Sequence, residues 1–148
     1  MTDAAIEIDS VRKKFGDVAV LDGLSLSIPK GQTFAFLGRN GAGKTTTIKM
    51  LMGLMKPDSG SLSVLGVDPV ANPLHVRSSV GYLAEDQTMF GWMRVEQLIC
   101  FIAPFYGTWD HQLAETYVKQ FELPLRTKVK HLSKGQTVRL GLLLALAH

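Results

Sequence analysis

Residues 38–45 carry glycine at Gly38 and Gly43, then Lys44 and Thr45, and so fit the pattern G-x-x-x-x-G-K-[ST]. That spacing specifies phosphate binding. Glycines let the backbone curl with its N–H groups turned toward phosphate oxygens, and a following helix offers the positive end of its dipole to the same charge. On this reading Gly38, Arg39, Asn40, Gly41, Ala42, Gly43, Lys44, Thr45 and Thr46 bind a nucleoside triphosphate such as ATP. Lys44 reaches the outer phosphates, where it also serves catalysis, and Thr45 sets its hydroxyl on Mg2+. At average residue usage the four fixed positions coincide by chance in about one chain in two hundred of this length. A glycine-rich turn that binds nothing is the weaker reading.

Such a loop has to lie between a strand and a helix. Residues 33–37 (Thr, Phe, Ala, Phe, Leu) are apolar on both faces and predict a central parallel strand. Residues 45–54 predict a helix, with Lys56 and Pro57 beyond its end. Upstream, residues 5–11 alternate and read as a strand with one wet face. Short runs at 18–21 and 24–28, then a turn at 29–31, complete an antiparallel edge region. Residues 62–65 and 80–84 read as two more strands. From about Gln87 the pattern becomes helical, at 95–105, 110–121 and 134–147. The division this suggests is a nucleotide-binding α/β part at 1–86 and a helical part at 87–148.

A second motif lies on the last of these helices. Ser133 and Gln136 have capping-box spacing at the start of an apolar segment, and Gly135 would let a ligand approach the backbone. Taken alone, an ordinary helix cap explains it; so does an anion site. Leu132, Ser133, Lys134, Gly135 and Gln136 together resemble the signature sequence of ABC ATPases, Leu-Ser-Gly-Gly-Gln, with Lys134 in place of the first glycine. With the phosphate loop upstream, the whole chain resembles the front part of an ABC-transporter ATP-binding subunit.

The resemblance carries several expectations. The fold is α/β, a P-loop NTPase with a RecA-like core and antiparallel β edge region, plus an ABC-type helical subdomain, incomplete at the C-terminus. Phe15, before Gly16, stacks on adenine, the alternative being a core aromatic at a strand end. Residues 80–85 match the segment leading into the family's Q-loop, with Glu85 at the usual glutamine position. Glu85 then offers an oxygen toward Mg2+ and the attacking water, with an added charge, a variant similar to exporter-type bacterial subunits. Two subunits would sandwich ATP head to tail, so that Ser133, Lys134, Gly135 and Gln136 act in trans. The family's Mg2+-ordering aspartate, water-polarising glutamate and switch histidine follow the signature helix on strands this sequence does not contain. A fragment that binds ATP without turnover is therefore expected. The partner is an integral membrane permease, with the subunit on the cytoplasmic face. The residues rich in large apolar side chains, 89–93 and 105–109, would suit docking of a short permease helix, although each could pack inside instead.

Composition fits these expectations. The 148 residues are 46% hydrophobic and 20% charged, which is globular. A net charge of +3 with no long basic run gives no nucleic-acid signal; Arg12, Lys13 and Lys14 read as a solvated turn between strands. Cys100, the single cysteine, reads as a buried small apolar residue in a reducing compartment. His75, His111, His131 and His148 have no metal-ligand spacing. Residues 1–8 carry acids and no apolar core, so no signal peptide is expected there, and no apolar stretch is long enough to span a bilayer. Two other readings remain. A different phosphate-loop NTPase could use Glu85 or Asp86 on Mg2+, but it leaves residues 132–136 unexplained. A non-transport ABC protein of translation or nucleic-acid type is the other, although the interval from Thr45 to Ser133 leaves no room for a coiled-coil insertion.

Overall fold

The computed structural model describes residues 4–148; Met1, Thr2 and Asp3, which open the stretch read for a leader, lie outside the described residues. The chain divides into two units, Met1–Arg77 and Ser78–His148.

In the first unit, Ile6 and Ile8 alternate with Glu7 and Asp9 and sort apolar from wet side chains along β1 (Ala4–Phe15). β1 lies between β2 (Val18–Pro29) and β3 (Ser59–Val64), and both pairings are antiparallel. Ile8 stands opposite Leu26 on one side and Leu62 on the other. The runs at 18–21 and 24–28 are one strand, carried across Gly23 at φ 79°. The basic trio belongs to β1 and is not a turn, and two of its charges meet carboxylates: Arg12 with Asp22 at 3.3 Å and Lys13 with Asp58 at 2.6 Å.

The apolar face of this sheet buries Ile8, Val11, Leu21 and Leu62, and α1 (Lys44–Leu51) closes it with Met50. Met50 is fully buried, which stabilises the contact by about 1.5–3 kcal/mol. The start of α1 is seated at Gly43, whose φ of 85° is left-handed. A Cβ there would lie 2.6 Å from Leu21 Cδ2 and 3.0 Å from the Val20 carbonyl oxygen. Any side chain at this position would crowd β2 and strain a left-handed backbone. A short helix unforeseen in the sequence, α2 (Pro73–Ser78), carries Arg77, whose Nη1 donates to the Met52 carbonyl at 3.2 Å.

Residues 33–37, expected as a central parallel strand, form no strand. Strand geometry needs a hydrogen-bonded neighbour, and among the described residues none of the three strands pairs with this segment. Phe34 and Leu37 are exposed. Phe34 and Phe36 instead border an apolar hollow of ≈ 380 Å³ with Ile6, Ile28 and Ile48. Residues 80–84, also expected as a strand, are irregular in the second unit for the same reason: no described strand pairs with them.

The second unit is helical. α3 (Val95–Ile102), a 3₁₀ turn at Ala103–Phe105, α4 (His111–Gln120) and α5 (Lys134–Leu146) follow the expected segments within a few residues. Val95 and Leu98 of α3, Ala114 of α4, and Leu140 and Leu143 of α5 form the core. Asp110 joins two of these helices. Its carboxylate caps α4 by accepting from the Leu113 N–H at 2.9 Å, while its own N–H donates to the Ala147 carbonyl at 2.7 Å.

Cys100 is exposed, not buried. On α3 the inward positions are 95, 98, 99 and 102, and residue 100 falls on the opposite arc. His148 stacks on Tyr106 at 3.7 Å, and burial pushes its imidazole below the ordinary histidine value. No helix of the described residues is long and apolar enough to cross a membrane.

Candidate nucleotide-binding site

The loop at 38–43 is held by its own lysine. Lys44 Nζ donates to the Gly38 carbonyl at 2.5 Å and to the Arg39 carbonyl at 2.8 Å. An ammonium has three protons, so one remains for a ligand oxygen. The Ala42 N–H donates to the Arg39 carbonyl at 3.1 Å and closes the turn below. Gly41 and Gly43, at φ 84° and 85°, turn the chain into α1.

The first intrahelical bond of α1 runs from the Thr47 N–H to the Gly43 carbonyl at 2.8 Å, and Thr47 Oγ1 donates to the same oxygen at 2.9 Å. Amides before Thr47 thus have no intrahelical acceptor. No side chain caps this terminus, and its first turn contains no acid. Nothing on the helix competes with a bound anion for the dipole. Arg39, Asn40 and Thr45 are exposed at this end, and Thr46 is half-buried.

Phe15 ends β1 in the same unit. Its ring is 48% exposed, so it is no core aromatic. Lys13 Nζ lies 5.8 Å from its centroid. One residue of this neighbourhood escaped the sequence reading. Asp58 Oδ1 accepts from Lys13 Nζ at 2.6 Å, and Oδ2 accepts from the Lys14 N–H at 2.7 Å. The Lys13 ammonium, then the Lys14 amide, hold the Asp58 carboxyl below the usual aspartate range. In the sequence it stands one residue past Pro57, with nothing local to tie it to Lys13 or Lys14.

The other predicted residues belong to the second unit. Ser133 is the N-cap of α5, and its Oγ accepts from the Gln136 N–H at 3.2 Å. The Gln136 side chain answers by accepting from the Ser133 N–H at 2.9 Å. Ser133, Lys134 and Gly135 are exposed, and nothing lies within 4 Å of where a Cβ on Gly135 would stand. Glu85 is exposed in the irregular segment before α3. That segment approaches α5 closely, since a Cβ on Gly141 would collide with the Gln87 side chain.

Four aromatic rings form an exposed chain in this unit. Phe101 lies 5.4 Å from Phe90 and 5.5 Å from Phe105, and Phe90 lies 6.3 Å from Trp92. All four are more than 40% exposed. Phe101 was missed in the sequence, where its spacing of four residues from Phe105 on one helical face was the available signal.

The profile of the family described as ABC transporter matches residues 21–148. The chain is 36% identical to an uncharacterized ABC transporter ATP-binding protein, YhaQ, of Bacillus subtilis, over 97% of this chain and 49% of that protein. It is 35% identical to the Nod factor export ATP-binding protein I of Burkholderia lata, over 100% of this chain and 50% of that protein. The chain thus spans about half the length of these curated relatives. Among solved structures, one titled as the ATP binding subunit of an ABC transporter matches with a TM-score of 0.85 at 26% identity, covering 95% of this chain and 61% of that one. The P-loop NTPase fold expected from the motifs is therefore the fold of this chain.

The Asp58 ion pair gives the site a pH signature. A carboxyl held below its unfolded value contributes stability that is complete above that value and is lost as pH falls through the folded one. Thermal unfolding of wild type and Asp58→Asn, compared from neutral pH to below 3.8, should show a gap that closes on the acid side. A gap that stays constant across that range would contradict the pairing.

Proposed function

This chain belongs to the ABC transporter family, and on that premise we propose that it carries the nucleotide-binding loop and signature helix of an ATP-binding subunit. In that reading, ATP hydrolysis by the whole subunit drives transport through a membrane permease. The observation that carries the reading is the Lys44 ammonium, drawn across the loop by the Gly38 and Arg39 carbonyls beside an uncapped helix N-terminus.

The loop amides and Lys44 hold the β- and γ-phosphates, and Phe15 stacks on the base through its open face. A Mg2+ ion, when bound, would neutralise charge on the phosphate oxygens. Among the described residues no cluster of three His, Cys, Asp or Glu could hold a metal ion. A phosphate-bridging Mg2+ does not need one, because it keeps its waters and takes one or two protein oxygens. Thr45, exposed beside the loop, fits that demand. With Glu85 alone assigned to the attacking water, these 148 residues are expected to bind without turnover.

The exposed start of α5 serves a second copy. Ser133, Lys134, Gly135 and Gln136 of each subunit would face the γ-phosphate held by the other, in a two-fold head-to-tail dimer. The permease is met through the aromatic chain of Phe90, Trp92, Phe101 and Phe105, a surface suited to an amphipathic helix. That partner places the subunit on the cytoplasmic face of the membrane.

Calorimetric titration of ATP with Mg2+ into wild type and Lys44→Ala tests the site. Wild type should bind and the variant should lose tenfold or more, about 1.4 kcal/mol, while phosphate release stays at background in both. Equal affinity would remove the assignment of Lys44. For the partner, Phe101→Asp in the full-length subunit should abolish co-purification with its permease and leave ATP affinity unchanged. Undiminished co-purification would rule out the aromatic chain as the docking surface.

A further inference from the structure

We propose that Asp58 is a positioning residue for Phe15, and through that ring for recognition of the nucleobase. The inference rests on the proposed reading of Phe15 as the base-stacking residue.

β1 outruns its neighbour on one side. Its pairing with β2 continues to Phe15 opposite Val18, but its pairing with β3 stops at Arg12 opposite Ser59. Beyond Arg12 that edge has no described strand to bond to, so the end of β1 is held by a strand on one side only. Asp58 takes the place of the missing strand. Its N–H donates to the Arg12 carbonyl at 2.9 Å, its Oδ1 accepts from Lys13 Nζ at 2.6 Å, and its Oδ2 accepts from the Lys14 N–H at 2.7 Å. One residue thus holds three successive positions directly before Phe15.

The approach of Asp58 is itself built in. Gly60, at φ 86°, lies so close to β1 that a Cβ would stand 2.5 Å from the Asp9 carbonyl oxygen and 2.7 Å from the Ser10 carbonyl carbon. This contact brings β3 in beside β1, so that the preceding turn delivers the carboxylate to residues 13 and 14. The same ion pair keeps the Lys13 ammonium 5.8 Å from the Phe15 ring. An ammonium beside an aromatic ring is attracted to its π cloud. The backbone before Phe15 and the charge beside its ring are therefore set by a single residue.

The test separates the base from the phosphates. ATP and inorganic tripolyphosphate, each with Mg2+, are titrated calorimetrically into the 148-residue chain and into Asp58→Ala, Phe15→Ala and the double variant. Asp58→Ala should weaken ATP about fivefold, a fraction of what stacking on an aromatic supplies, and leave tripolyphosphate unchanged. The double variant should bind ATP no more weakly than Phe15→Ala. If Phe15→Ala weakens ATP but Asp58→Ala does not, the inference falls and the stacking assignment stands. If Phe15→Ala binds ATP like wild type, both fall. Equal weakening of the two ligands by Asp58→Ala means a merely structural role and overturns the inference. Should Asp58→Ala not fold, Asp58→Asn keeps shape and one acceptor and decides the matter. It is expected to lose ATP affinity alone, to a smaller extent, and a loss shared by both ligands, or none, overturns the proposal.

Discussion

The contact between Gly43 and Leu21 fixes where α1 begins, and the phosphate site proposed for the first unit depends on it. With a Cβ position only 2.6 Å from Leu21 Cδ2 and a left-handed φ of 85°, residue 43 is strained for any side chain, and glycine is the residue that fits. Both bonds from Thr47 converge on the Gly43 carbonyl, which fixes the orientation of that peptide plane. Met50, farther along the same helix, is buried against the sheet. The helix is thus anchored at its start by backbone and in its body by apolar packing. An anion arriving at the loop meets donors already oriented, and preorganised donors are where electrostatic stabilisation is strongest.

The two helices that begin at glycine-containing motifs solve their N-termini differently. α1 has no side-chain cap, so its amides are left for a ligand. α5 closes part of its own terminus with the reciprocal Ser133–Gln136 pair. That box satisfies two donors and leaves the Lys134 and Gly135 backbone on an exposed surface. The first helix suits a primary phosphate site; the second suits a lighter contact made after a nucleotide is already held.

The glycine loop ahead of α1, the alternation along β1 and the helices were legible because each is written in local chemistry. Glycine spacing, alternation of isoleucine with acids, and a Ser–Gln capping pair act within a few residues. What failed were features that depend on partners. Residues 33–37 have the composition of a buried strand, but composition does not say whether a neighbour is there to bond to. Cys100 sits in an apolar run with no visible polar face, and only counting from Val95 and Leu98 puts it outside. Asp58 was illegible because its bonds to Lys13 and Lys14 cross 45 and 44 residues of sequence.

The central claim is that the amides at the start of α1 are the primary phosphate site and those at the start of α5 are not. Amide chemical-shift mapping on the monomeric chain, titrated with Mg–ATP and with inorganic tripolyphosphate, tests it directly. The account predicts saturable shifts at Gly41, Gly43, Lys44, Thr45 and Thr46 with both ligands, with Ser133, Lys134, Gly135 and Gln136 unmoved. Shifts centred on residues 133–136 in the monomer, or none in the loop, would contradict it.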